Sequence, residues 1–564
     1  MFSFLRLILC VLMAAIMTIV STVSAGLPHS APKAKSDEQL SGLTDIFAKY
    51  PVNKEIVVVN TNNLTEEQVY TVVSLQGLVS KKAATIFIDK NASGTAKTAK
   101  ELSDYGYEVS LNDESGKQWN FESLMKKFAT SEYIKDCGYI LYSSCKDVHQ
   151  LNMATNMATV YGWLPVPKEL ESVATGLGMT KCEDLTDDTC SYAQQLKFYT
   201  KHKKIFSDTC LVHQPSTTYG LRDLAIQQNI FVMYTLEDDT LGKALRSKVL
   251  RGLNKGSPVL GWCNFEVQYV EAISATGNFV IPTDHCTNSS MLCSMNIEAK
   301  KYNKPIEDIC LNPDKHYIVL CYSDGDNVQW IQNGYNDFYN WQKLNVDVPL
   351  TWTFPPLMKE FSSIDMNRVL SSADDDCFIS GPSGAGYSRL SQMYGKGLEA
   401  FSDLTAASML ESGMTTVTLL DTEFDNKIEE NSFINKLGYF SRYSNIKGGI
   451  IQFEPDRYAS GKGRVYFVDD KPFVSVRLSL WHPDGEGATV TNEWIQEQAD
   501  IINSYPADIN SINGYSVVNI HPWTMSVENV AYFVSLLDED IEVITADELV
   551  CAVSKYVPHK NAQP

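Results

Sequence analysis

From residue 306 to 557 the chain repeats one pattern: a short apolar run, a polar turn, then usually a stretch with helical spacing. The runs are YIVLCY (317–322), PLTWTF (349–354), CFIS (377–380), TVTLL (416–420), GGIIQF (448–453), FVSVRLSL (473–480), SVVNI (516–520) and IEVIT (541–545). Short runs that are apolar throughout suit strands covered on both faces, and alternation with helices makes such strands parallel. DMNRVLSSA, RLSQMYGKGLEAFSDL, NEWIQEQADIINSY and VENVAYFVSLL are the helical stretches. Seven or eight such strands predict an α/β fold whose C-terminal part is a TIM-like (β/α) barrel. A doubly wound open sheet is the alternative.

A chain of 564 residues is too long for one core. Three small α/β units are expected before the barrel, at 51–125, 126–203 and 204–305. The first pairs EIVVVN with ATIFID across the helix EEQVYTVVSLQGLVSKK. The second starts at YILYSS, and the third holds KIFSDTCLVHQ, TTYGLRDLAIQQ and IFVMYT. Residues 26–50 are polar and read as a loose lead-in, the barrel-like domain spans 306–557, and 558–564 form a tail.

Residues 1–25 have the layout of a signal peptide: Arg6, an apolar run from Leu7 to about Val20, and small residues Val23 and Ala25 before Gly26. No later run is long enough to span a membrane. A secreted or lumenal protein is therefore expected, with no membrane span in the mature chain. Of 13 cysteines, Cys10 leaves with the leader. Disulfides are the better reading of the remainder, with Cys182/Cys190 and Cys286/Cys293 spaced for small loops, while a cysteine such as Cys321, within an apolar run, also suits a buried thiol. Asn63, Asn91 and Asn288 begin glycosylation triplets. A net charge of −21 and no clusters of Lys and Arg exclude nucleic acid as the expected partner. The oligomeric state is left open.

The chemistry-bearing residues cluster just after the strands. Asp324 and Asp326 follow the first, Trp352 lies in the second, Glu423 follows the fourth and Glu454 the fifth. Trp481 follows the sixth, and His521 and Trp523 follow the seventh. In a parallel barrel these positions share one mouth. Paired carboxylates with aromatic platforms suit sugar chemistry, so Asp324, Asp326, Glu423, Glu454 and His521 are the candidate catalytic groups. Trp352, Trp481 and Trp523 are the stacking candidates. Acidic residues at such positions also cap helices. No cofactor is expected, although Asp324 and Asp326 could hold a divalent cation, which keeps a metal-dependent esterase using His521 among the readings. In SGPSGAGY (380–387), Ser383 stands where a nucleophile elbow would place it, with Asp421 and His521 following. The alternative is a glycine turn that lets the backbone approach a ligand, with Tyr387 lining the site.

SGAGYSRL resembles the GxGYxYP motif of a family presumed to hydrolyse glycosides, through Gly384, Gly386 and Tyr387. Arg389 and Leu390 stand where that motif has Tyr-Pro. SDGDNVQW is similar to another segment of the family. SLQGLVSKKAATIFID, LVHQ with LRDLAIQQNIFVMY, and PVLGWCNFEVQYVEAIS with TDHCTNSS resemble its three N-terminal domains. The resemblance implies a carbohydrate ligand, contacts from Gly384, Gly386 and Tyr387, and a contribution over the barrel mouth from the segment holding Trp262 and Glu266. The expected function is that of a secreted O-glycoside hydrolase, with a non-catalytic glycan-binding protein as the alternative.

Overall fold

The computed structural model describes residues 31–564 apart from 91–94, 303, 305, 307, 325–326, 336–345, 372–374 and 486. The expected leader, Asn91 and Asp326 lie outside the described residues.

Three small parallel sheets precede a large one. β1 (Val52–Asn60), β2 (Ala84–Asp89) and β3 (Glu108–Ser110) pair in the order β2-β1-β3. β4 (Gly138–Tyr142), β5 (Leu164–Pro167) and β6 (Thr180–Asp184) pair as β5-β4-β6, and β7 (Leu211–His213), β8 (Phe231–Met233), β9 (Pro258–Gly261) and β10 (Phe279–Ile281) as β10-β9-β7-β8. Helix Glu66–Ser80 is held at its start by the Thr65–Gln68 capping box and is buried over most of its surface. Gly77 makes this possible: a Cβ there would stand 2.7 Å from the Asp223 carbonyl oxygen, so the helix lies directly on the third unit.

The large sheet contains β11 (His316–Tyr322), β12 (Thr351–Phe354), β13 (Cys377–Ser380), β14 (Thr416–Thr422), β15 (Gly448–Glu454), β16 (Val465–Val468), β17 (Lys471–Ser475), β18 (Leu478–Leu480), β19 (Tyr515–Ile520) and β20 (Ile541–Val543). Its order is β16-β17-β15-β14-β13-β12-β11-β19-β18, with β20 also on β11. Every residue of β11 is buried, as an uninterrupted apolar run predicts for a strand covered on both faces.

The structure is mixed α/β, and the large sheet is a curled half-barrel that departs from a regular eightfold barrel in three places. The run read as one strand at 473–480 divides. Phe473–Ser475 lie along β15, and Leu478–Leu480 along β19. Between them the Val476 N–H donates to Ile451 and the Arg477 N–H to Val517, at 2.9 and 2.8 Å. β16, which the sequence reading missed, is an antiparallel hairpin partner of β17, and its turn places Asp469 and Asp470 at φ 50° and 60°. β20 adds to the start of β11 beyond the reach of β12.

Other expectations need correction. The lead-in is packed from residue 31 onward: Leu40 and Phe47 enter the main core, and Lys35 pairs with Asp403. In the tail, the Ala562 backbone pairs with Val465 in both directions. The twelve cysteines from Cys137 to Cys551 are free thiols, so the small-loop disulfides are not formed. Cys293 caps helix Ser289–Leu292 and directs its sulfur to Gln227 and Ser294, and Cys182 directs its own to the Thr180 carbonyl. Asn288 is not a free acceptor, because its buried amide is bonded to Gln76 and to both polar groups of Ile88.

Candidate functional site

The parallel strands of the large sheet deliver their following residues to one end, and the C-terminal ends of β9 and β10 meet that end from the third unit. Between them lies a cavity of about 260 Å³ lined by Trp262, Glu266, Asp324, Tyr387, Gln452, Tyr458, Trp481, His521 and Trp523, with Pro282, Pro382, Asn327 and Gln329. Crevices at the carboxyl ends of parallel strands are where α/β folds place their ligands.

The GxGY segment builds the junction. Gly384 has φ 80° and lies against Thr405 on helix Gly395–Ser412. A Cβ on Gly386 would meet the Phe279 ring at 2.5 Å. With no side chain at either position, the loop reaches β10, where Tyr387 and Val280 exchange backbone hydrogen bonds of 2.8 and 2.7 Å. Tyr387 is thereby fixed between the two sheets, its ring stacked on Trp262 at 6.0 Å. The glycines themselves do not line the cavity; their role is close packing.

Glu266 is the first residue of helix Glu266–Ser274 and accepts the Tyr387 hydroxyl hydrogen bond at 2.6 Å. Burial pushes its carboxyl above the usual value. The Tyr387 hydrogen bond opposes that shift, and the neighbouring Asp324 and Glu454 add to it. Asp324 turns out of β11 with φ 64°. Its Oδ2 accepts the Trp523 indole N–H at 2.7 Å, with His521 Nε2 3.4 Å away. His521 lies flat against Trp481, ring centroids 3.8 Å apart, and Tyr458 meets Trp481 edge-on at 5.4 Å. Burial first, then the charges of Tyr387 and Asp324, hold the Tyr458 phenol well above its usual range. His521 Nδ1 and Gln452 Oε1 are buried without a hydrogen-bond partner in the protein.

Arg389, at the motif's departure, is fully buried beside this cavity. Its Nη2 donates to Glu454 Oε2 at 2.7 Å, and its guanidinium lies 6.0 Å from the Tyr387 ring. Nε and Nη1 have no hydrogen-bond partner.

Of the residues singled out in the sequence, Glu266, Asp324, Tyr387, Trp481, His521 and Trp523 surround this cavity. Others do not. Trp352 points into the core: it stacks on Tyr322 at 4.2 Å and donates its indole N–H to Asp376. Glu423 pairs with Arg464 and Glu454 with Arg389, so both carboxylates are taken up by cations outside the cavity lining. Ser383 donates its hydroxyl to the Ser388 carbonyl, and Asp421 accepts both Ser391 donors at 2.7 Å, so no nucleophile elbow is assembled. Among the described residues, the side chains placed to share a metal ion are Glu66, Glu67 and Cys145, away from Asp324. Sequence reasoning missed Gln452, Tyr458 and Arg389 as parts of the site. Gln452 carried a signal, a polar residue inside an otherwise apolar strand.

Family models match on both sides of the cavity. "GxGYxYP putative glycoside hydrolase C-terminal domain" matches residues 314–553, and "GxGYxYP third domain" matches 207–294. A solved structure described as a putative hydrolase, from Bacteroides thetaiotaomicron VPI-5482, is similar in fold: TM-score 0.79 at 21% identity, over 94% of this chain and 98% of that one. A chain described as a putative polysaccharide deacetylase from Mycobacterium smegmatis aligns at TM-score 0.29 and 12% identity over 46% of this chain and 99% of that one, too low to bear on the fold. No curated protein matches.

Proposed function

Because this chain belongs to the GxGYxYP family, we propose that it hydrolyses O-glycosidic bonds with Glu266 and Asp324 as its pair of carboxyl groups. One observation carries the reading. Two carboxyls from different units face one aromatic-walled cavity, and their surroundings differ: burial pushes Glu266 toward its protonated form, and Asp324 accepts the Trp523 indole N–H. Unlike environments on two neighbouring carboxyls are what separates an acid from its partner.

In this mechanism Glu266 gives its proton to the glycosidic oxygen as the bond from that oxygen to the anomeric carbon breaks. The departing alcohol takes the bonding pair. Asp324 supplies electrons on the other side, either directly to the anomeric carbon or by drawing a proton from the attacking water. Trp262, Tyr387, Trp481 and Trp523 offer ring faces and edges to the sugar. Export through the secretory pathway belongs to the same proposal and rests on the N-terminal apolar run.

The test is a screen of the wild-type protein against polysaccharides and aryl glycosides, with Glu266→Gln and Asp324→Asn beside it. Each variant should lose about 10²–10⁴-fold in kcat/KM with its circular dichroism unchanged. NMR of the first product's anomeric proton separates direct attack from water activation. Glycan binding with no turnover would replace hydrolysis with a purely binding role.

A further inference from the structure

We propose that the cavity takes a single uncharged terminal sugar, so that the protein acts from chain ends and rejects uronic, sialic and sulfated residues. The inference rests on the glycosidase reading above and names its substrate class.

Size is the first argument. A dry cavity of roughly 150 Å³ accommodates benzene, with six heavy atoms. A hexopyranose has about twice as many, so a cavity of about 260 Å³ suits one such ring and not two. The walls support this. Tyr387 is fixed on Trp262, and Trp481 is stacked on His521 with Tyr458 against its edge. The exposed aromatic of the lining is Trp523, 41% accessible and pinned through its indole N–H to Asp324. It stands where the rest of a chain would leave, and Trp330 braces it edge-on at 5.1 Å.

Charge is the second argument. Among the described residues no Lys or Arg lines the cavity, and two carboxyls do. Arg389, a cation near the cavity, packs on the Tyr387 ring with its Nη2 on Glu454, and Arg457, next to Tyr458, donates to the Pro483 carbonyl. His521 lies against Asp324, so any positive charge on its ring is directed at that carboxylate. An anionic sugar would lose its hydration and meet no cation in the described lining. At about 4 Å from Asp324, and at the effective dielectric of a protein surface, the repulsion corresponds to as much as ~10³-fold. The buried Gln452 Oε1 and His521 Nδ1 instead await neutral partners, and sugar hydroxyls both donate and accept.

The experiment uses the full chain and matched p-nitrophenyl glycosides: glucoside with glucuronide and galactoside with galacturonide, each in both anomers, together with neutral oligosaccharides. Neutral members should be cleaved with kcat/KM at least about 100-fold above their uronide partners. The first product from an oligosaccharide should be a monosaccharide. Uronides cleaved within tenfold of their neutral partners, or first products of several residues, would overturn the inference. If nothing is cleaved, the catalytic reading fails by itself. Saturation-transfer NMR with the same pairs then decides the specificity: neutral sugar bound and uronide unbound supports it, and any other pattern overturns it.

Discussion

Replacing Tyr387 with Phe isolates one hydrogen bond in the catalytic proposal. The Tyr387 hydroxyl donates to Glu266 at 2.6 Å, while its ring stacks on Trp262, a contact that Phe retains. Burial raises Glu266 above its ordinary value of 4.5, and the phenol opposes that rise by stabilising the carboxylate. A hydrogen bond to a charged group contributes about 1.5–3 kcal/mol, and one pKa unit corresponds to about 1.36 kcal/mol. Removing it should raise Glu266 further. As a general acid Glu266 works while protonated, so kcat/KM falls as pH rises through its folded pKa. In Tyr387→Phe that alkaline limb should move to higher pH. Stability follows the same sign. A carboxyl raised by folding contributes stability below its unfolded pKa and loses it as pH rises through the folded pKa. The variant should therefore lose stability over a wider interval above pH 4.5 than wild type. The assay is the pH profile of kcat/KM on a neutral aryl glycoside, with urea unfolding at matched pH values. An alkaline limb that stays in place, or moves down in a folded variant, would refute the assignment of Glu266 as the acid.

Arg389→Met leaves the Glu454 carboxylate without its cation, and urea unfolding should show a loss of about 3 kcal/mol, partly restored by adding Glu454→Gln. Gly384→Ala meets a left-handed backbone at φ 80° and a Thr405 hydroxyl 2.6 Å from the new carbon, so thermal unfolding should register a loss of about 1–3 kcal/mol. Titration of denatured, unreduced protein that lacks residues 1–25 should find twelve reactive thiols, and a smaller number would restore the disulfides. N-terminal sequencing of secreted material should begin at Gly26.

Sequence alone determined most of the parallel strands of the large sheet, because burial on both faces writes itself into each run, but it missed β16 and read β17 and β18 as one strand. β13 begins and ends where CFIS does, and β11, β14, β15 and β19 extend their predicted runs by only one or two residues. The sequence also placed Asp324, Trp481, His521 and Trp523 correctly just beyond strand ends, since that position is local information. It could not say which way each side chain turns or what waits there. Trp352 lies within β12 and Asp324 just beyond β11, and the first finds Asp376 in the core while the second finds Trp523 at the cavity. Glu454 looked like a catalytic carboxylate until Arg389, 65 positions away, took it up. Glu266 shows the converse. Its helix belongs to another unit, and only the docking of Tyr387 on Val280 brings the two carboxyls to one cavity. Strand identity is set by residues a few positions apart, whereas the pairing of charges depends on packing between distant segments, which only the tertiary structure decides.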